Sequence, residues 1–133
     1  MKQNIAATRI RTILHIDSMG GLAAGFIVLL LHGILAQWYG LPERIVLFIA
    51  LANIAYGSYS GGLVLYTRLK ALPHRRSIFV LIAANLLWPL VCVILLVMNK
   101  VSISFWGTGH LLLEGLYVGL LGALELILLK KIR

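Results

Sequence analysis

The chain has 133 residues, of which 61% are hydrophobic and only 12% are charged, against roughly a quarter charged in an ordinary soluble domain. So short a chain buries too little surface to hide these apolar side chains from water, which excludes a water-soluble domain and predicts lipid as the solvent. The net charge of +8 predicts no nucleic-acid partner, because the basic residues cluster at the ends of apolar segments, as membrane topology requires.

Four apolar segments are each long enough to cross about 30 Å of hydrocarbon. We predict membrane spans at Asp17–Trp38, Glu43–Tyr66, Ile78–Met98 and Phe105–Leu129. Because the links between the spans are short, neighbouring helices must run antiparallel. The sequence therefore predicts one all-α domain over residues 1–133, a four-helix transmembrane bundle with up-down-up-down topology.

The segment before the first span and the serines before the fourth span carry local signals. In the segment before the first span, four apolar residues alternate with Arg9 and Arg11, namely Ile5, Ile10, Ile13 and Leu14. This pattern indicates either a cytoplasmic extension of the first helix or a short helix lying on anionic lipid. Ser102 and Ser104 are both suitable N-caps for the fourth helix.

Lysine and arginine are distributed unevenly between the two ends of the bundle. Ten lie in the N-terminal tail, the middle loop and the C-terminus, whereas the other two loops hold only Arg44 and Lys100. The positive-inside rule then predicts an N-in/C-in, multi-pass protein of the inner (plasma) membrane. Anionic lipid is the expected partner at the cytoplasmic face, with Trp38, Tyr39 and Trp106 at the outer interface.

Small residues recur at a spacing of four in three of the predicted helices. These pairs are Gly21 with Gly25, Gly57 with Gly61, and Gly115 with Gly119. The spacing lets two helix backbones approach closely. We interpret the pairs as packing seams inside the bundle, and a homo-oligomer or another membrane protein as partner is the alternative.

Polar residues inside the predicted spans are the candidates for function, because an ionisable residue at the midplane costs about 2.5 to 3.5 kcal/mol or more. At 1.5 Å per residue, Asn53, Asn85 and Glu114 fall about 11 to 14 Å from the start of their helices. His32 and His110 fall about 8 to 9 Å from the outer edge. These five groups are expected to converge on the outer half of the bundle.

Helical spacing indicates which of these groups share a face. His110, Glu114 and Tyr117 stand at i, i+4 and i+7, and Tyr56 follows Asn53 on the second helix. On the third helix Pro89 has no N–H to donate to the carbonyl of Asn85, so that carbonyl needs another donor.

The remaining charges have simpler interpretations. Asp17 begins the predicted first span, where the helix dipole favours a carboxylate. Glu125 lies close to the stripe of Glu114 and is expected to snorkel or to pair with Lys130 and Lys131. We interpret Trp88 with Pro89 as packing and a kink.

Three functional classes remain open, and nucleotide-binding, zinc-protease and nucleophile-elbow motifs are absent from the sequence. The first class is a channel, transporter or proton relay whose path is lined by Glu114, His110, His32, Asn53, Asn85, Tyr56 and Tyr117. The second is a bundle that holds haem or a metal between His32 and His110. The third is an accessory or assembly subunit with a purely structural polar core. No catalytic residue is indicated, an enzyme is not favoured, and no cofactor or metal is expected.

A family resemblance rests on three features, namely the size of the chain, its predicted topology and the run Gly-Thr-Gly-His-Leu-Leu-Leu-Glu-Gly with its two ionisable residues His110 and Glu114. Together they resemble the small four-helix inner-membrane proteins common in bacterial genomes. The resemblance implies the fold and the location, and it carries over no reaction, cofactor or catalytic residue.

Overall fold

The computed structural model describes residues 2–69 and 73–131, with side chains from residue 5 onward. Within these residues there are four α-helices and no strand, namely α1 (Lys2–Tyr39), α2 (Glu43–Leu69), α3 (Arg75–Met98) and α4 (Phe105–Lys131). All four are long and apolar enough to cross a membrane. The predicted all-α four-helix bundle is therefore confirmed. Lys70, Leu72 and Arg133, which entered the predicted middle loop and the count of basic residues, lie outside the described residues.

Helix α1 is longer at its N-terminal end than the predicted span, which began at Asp17. The preceding residues continue the same helix from Lys2 because its apolar side has packing partners. Ile10 and Leu14 are fully buried and join Val64 of α2 and Ile78 of α3 in one apolar cluster. The predicted extension of the first helix is thus what the structure shows.

The helices pack as two pairs, with α1 against α2 and α3 against α4. Helix α1 also meets α4, and α2 meets α3 less extensively. Glycines form the seam of the first pair: a Cβ on Gly21 would lie 3.1 Å from the Gly57 Cα, and one on Gly57 would lie 2.6 Å from the Leu22 nitrogen. In the second pair a Cβ on Gly119 would lie 2.8 Å from the Pro89 ring. The predicted seams therefore lie inside the bundle.

The two loops that join α1 to α2 and α3 to α4 lie together at one end, which we call the two-loop end. Gly40 has a φ of +63°, and a Cβ there would collide with the carbonyl of Ser102. The hydroxyl of Ser104 accepts a hydrogen bond from the Gly107 N–H at 3.2 Å and donates one to the carbonyl of Trp38. Ser104 is therefore the N-cap of α4, as one of the two predicted serines.

Two apolar clusters fill the ends of the bundle and leave a polar layer between them. The cluster near the two-loop end includes Val46, Ile49 and Leu111. The other cluster, near the chain termini, includes Ile10 and Leu128. The polar residues between these clusters form the candidate site.

Candidate functional site

A cavity of about 290 Å³ lies in the polar layer, and all four helices contribute to its wall. Its lining residues with polar side chains are Asp17 from α1, Asn53 and Tyr56 from α2, Asn85 from α3, and His110, Glu114 and Tyr117 from α4. Leu113 also lines it and is 70% exposed. The cavity therefore opens on the side of the bundle where α4 stands beside α1.

Glu114 is the most heavily contacted polar residue of the cavity. Its Oε1 accepts hydrogen bonds from the Asn53 amide at 2.6 Å and from the Trp88 indole at 3.0 Å. Its Oε2 lies 2.7 Å from Nε2 of His110, one turn earlier on α4. That last pair is close but lacks the geometry of a hydrogen bond, so it acts through charge when the imidazole is protonated and the carboxyl ionised. Three helices therefore meet at one carboxyl group.

His110 links Glu114 to the two-loop end. Its Nδ1 lies 3.1 Å from the Tyr39 hydroxyl, and the two rings are tilted with centroids 5.0 Å apart. Because one imidazole nitrogen faces Tyr39 and the other faces Glu114, the ring stands between a phenol and a carboxyl. An imidazole can accept a proton at one ring nitrogen and release one from the other, so the ring is chemically suited to pass a proton between these partners.

A second polar group lies nearer the chain termini. The Asn85 amide donates to Oε2 of Glu125 at 3.2 Å, and both residues are fully buried. The Asp17 carboxyl lies beside Asn85 and Ser60 and within electrostatic range of Glu125. We call Asp17, Ser60, Asn85 and Glu125 the inner group, and His110 with Glu114 the outer pair.

Several buried acceptors of the inner group have no partner. Within residues 2–69 and 73–131, no hydrogen-bond donor reaches Oδ2 of Asp17, Oδ1 of Asn85 or Oε1 of Glu125. Buried polar atoms are normally paired, and each exception asks for an explanation such as a proton, an ion or a ligand. The inner group is therefore short of donors.

The outer pair and the inner group together make a polar column. On α4, His110 and Glu125 are about 22 Å apart along the axis at 1.5 Å per residue, against a hydrocarbon thickness of about 30 Å. Asp17 and Asn85 of the inner group line the same cavity as His110 and Glu114. One cavity therefore connects both sets of titratable side chains.

The two tyrosines predicted for the site border the cavity. The Tyr56 hydroxyl donates to the carbonyl of Ala84 at 3.3 Å. Ala84 precedes Asn85, whose carbonyl receives no hydrogen bond from Pro89 because proline has no N–H. The Tyr117 hydroxyl donates to the carbonyl of Ile16 at 3.4 Å and so reaches across from α4 to α1.

His32 does not join the other predicted site residues. Its Nε2 lies 2.8 Å from Oε1 of Glu43, and its Nδ1 lies 2.6 Å from the Leu29 carbonyl. It is not among the residues that line the cavity. Position along a helix predicts the depth of a side chain but does not fix which way the side chain points. The expected convergence of five groups is therefore wrong for His32, and Asn85 belongs to the inner group.

Three residues have roles that the sequence interpretation missed. Asp17 stands in the middle of a continuous helix and is 5% exposed, so the helix-dipole interpretation is wrong. Glu125 is buried against Asn85 and does not reach the basic C-terminal end. Trp88 donates to Glu114 besides packing. For Asp17 the sequence does contain an indication of burial, since Asp17 shares a helix face with the seam residue Gly21 at i, i+4.

The described part of the chain contains no group of three or more His, Cys, Asp or Glu side chains placed to hold a metal ion. No family model, curated protein or solved structure matches this chain.

Proposed function

We propose that this protein is a proton-relay or transport protein of the inner membrane, and that the Glu114–His110 pair is its proton-handling site. The observation that carries the proposal is the 2.7 Å approach of His110 Nε2 to Glu114 Oε2 inside a cavity lined by all four helices. Ionisable residues inside membrane spans are rare, face the bundle interior, and mark ion or proton pathways.

The proposed relay follows the contacts of the outer pair. A protonated His110 gives its Nε2 proton to an ionised Glu114 once the imidazole rotates to align Nε2 with Oε2, which leaves a neutral imidazole and a neutral carboxyl. The imidazole is then protonated again from the side of Tyr39, and Glu114 passes its proton into the cavity. The Tyr39 hydroxyl at 3.1 Å holds the ring by Nδ1 and faces the two-loop end. Asn53 and Trp88 hold the other carboxylate oxygen of Glu114 in place, so the carboxyl stays within reach of the imidazole.

The cavity gives the proton a route from the outer pair to the inner group. A volume of about 290 Å³ is room for several water molecules, each of which takes about 30 Å³ in the liquid. Asp17 and Asn85 line the same space, and Glu125 is bonded to Asn85. In this proposal Asp17 and Glu125 receive the proton from the cavity and release it toward the chain termini.

For the orientation we propose that both termini are cytoplasmic, as the distribution of basic residues predicts. A groove at the termini end fits this arrangement, because Arg9 and Lys131 flank the apolar side chains of Ile13, Leu124 and Leu128. Such a groove suits an anionic lipid of the cytoplasmic leaflet. Reporter fusions at both ends test the orientation, and a periplasmic C-terminus would contradict it.

A structural role is the second candidate, and one observation favours it. Glu114 accepts two hydrogen bonds from two other helices, which is how a buried polar residue pins a bundle in an accessory subunit. The two candidates differ in what Glu114→Gln does, because glutamine keeps the shape and the acceptor oxygen but cannot carry a proton. The cofactor alternative has lost its geometric basis, since His32 faces Glu43 and not His110.

The experiment is proton flux in liposomes that contain the purified protein, driven by a pH gradient. We expect flux above that of empty vesicles, and a loss of at least about tenfold in Glu114→Gln. Glu43→Gln is the matched control, because it removes the other carboxylate that contacts a histidine, outside the cavity. Unchanged flux in Glu114→Gln, or no flux with the wild-type protein, overturns the proposal.

A further inference from the structure

We propose that the cavity also binds a small organic ammonium ion in place of a proton. This inference rests on the proposed function of the same cavity and names the second ligand of that site. It starts from the inner group, whose oxygens that face the cavity have no donor among the described residues.

Four atoms of the cavity wall have no hydrogen-bond partner in the described part of the chain: three are the acceptors Asp17 Oδ2, Asn85 Oδ1 and Glu114 Oε2, and the fourth, His110 Nε2, lies against Glu114. Asp17 Oδ2 and Asn85 Oδ1 belong to side chains that are at least nine-tenths buried and line the cavity. Glu125 Oε1 lies behind Asn85 and is also unpaired in the described part of the chain. An ammonium group in the cavity can donate to both Asp17 Oδ2 and Asn85 Oδ1, since it carries three N–H bonds.

Charge points to the same class of ligand. Among the described residues that line the cavity there is no lysine or arginine, whereas two carboxylic acids, Asp17 and Glu114, line it. The titratable groups that face the cavity are Asp17 from α1, Tyr56 from α2, and His110, Glu114 and Tyr117 from α4. Glu125, also from α4, lies behind Asn85 of α3. Only His110 in this set can become positive. A cationic ligand would therefore offset the carboxylates, and a buried charge without such a partner is costly.

The size and the walls favour an organic cation over a bare metal ion. A volume of about 290 Å³ is close to the lower limit of ordinary ligand pockets, about 300 Å³, and far exceeds a single ion. Ala24, Leu113 and Val118 supply apolar wall, and Tyr56 and Tyr117 add aromatic rings, to which cations are attracted. The chemistry that fits is an ammonium head with a short apolar body.

An entry route is present in the fold. Leu113 is 70% exposed and Tyr117 is 44% exposed, and both line the cavity. An amphipathic amine concentrates at the membrane, so it can enter from the lipid side beside α4. When one ammonium ion binds, one carboxyl proton leaves, and the charge inside the bundle stays constant.

The experiment is calorimetric titration of the full-length protein in lipid nanodiscs with phenethylammonium chloride. The paired probe is 2-phenylethanol, which has the same shape with a hydroxyl in place of the ammonium. We expect the ammonium to bind at least about tenfold more tightly than the alcohol and to release about one proton per ion in weak buffer. Asp17→Asn should weaken ammonium binding at least about tenfold, and Glu43→Gln should leave it unchanged.

Equal binding of the two probes overturns the inference, as does ammonium affinity unaltered in both Asp17→Asn and Glu114→Gln. Helical circular dichroism identifies any variant that has not folded, and the probe comparison on the wild-type protein needs no variant. Proton flux measured without amine separates the two proposals. Flux without ammonium binding overturns this inference alone, and ammonium binding without flux overturns the relay alone.

Discussion

The hydrogen bond from Trp88 to Glu114 should contribute measurably to the stability of the bundle. The indole Nε1 lies 3.0 Å from Oε1, and Trp88 is only 3% exposed. Trp88→Phe removes the donor while a ring remains to pack between Phe48 and Tyr56, whose centroids now lie 6.0 and 5.6 Å from the indole. Interhelical hydrogen bonds in membranes contribute about 0.6 kcal/mol on average and up to about 1.7. The smaller ring adds a packing loss, so we expect about 1 to 3 kcal/mol in total.

A double-mutant cycle separates the hydrogen bond from the packing. The free energy of unfolding is measured by SDS titration for wild type, Trp88→Phe, Glu114→Leu and the double variant. We expect a coupling energy between about 0.5 and 2 kcal/mol, because the indole bond exists only when both residues are present. Trp106→Phe is the control, since Trp106 is 68% exposed and should change stability little. A coupling energy of zero would refute the contribution of this bond.

The other predictions concern packing and capping. Gly57→Ala should destabilise the protein by about 1 to 3 kcal/mol, because its Cβ would lie 2.6 Å from the Leu22 nitrogen. Gly62→Ala on the same helix is the control, because a Cβ there meets nothing within 4 Å, and it should be neutral or stabilising in the same SDS titration. Equal losses of unfolding free energy in both variants would contradict the seam. Ser104→Ala should cost about 1 kcal/mol in thermal unfolding by loss of the α4 cap, whereas Ser102→Ala should cost less, and the reverse order would be incompatible with this cap.

Much of the fold followed from the sequence because its signals are local. The hydropathy of each span, the glycine spacing and the serine before α4 depend on neighbouring residues only, and the structure places them as predicted. The contact of His110 with Glu114 also followed from local spacing, since residues at i and i+4 share a helix face.

The rest of the site depends on how each helix is rotated against its neighbours. His32 and His110 were matched by depth, yet the first faces Glu43 and the second faces the cavity. Asp17 was taken for a helix start because the apolar run begins beside it, whereas packing of the preceding residues extends α1 far beyond it. Glu125 stands near basic residues in the sequence, but helix rotation turns it toward Asn85.

The most direct test of the relay is whether Glu114 and His110 exchange a proton. Infrared difference spectra of the protein in lipid, recorded between acidic and basic pH, report the carboxyl C=O band of groups that change protonation. We predict a component of this band that disappears in Glu114→Gln, persists in Glu43→Gln, and titrates at a different pH when His110 is replaced by Phe. A difference spectrum unaltered in Glu114→Gln would show that this carboxyl does not change protonation between the two pH values and would contradict the proposed relay.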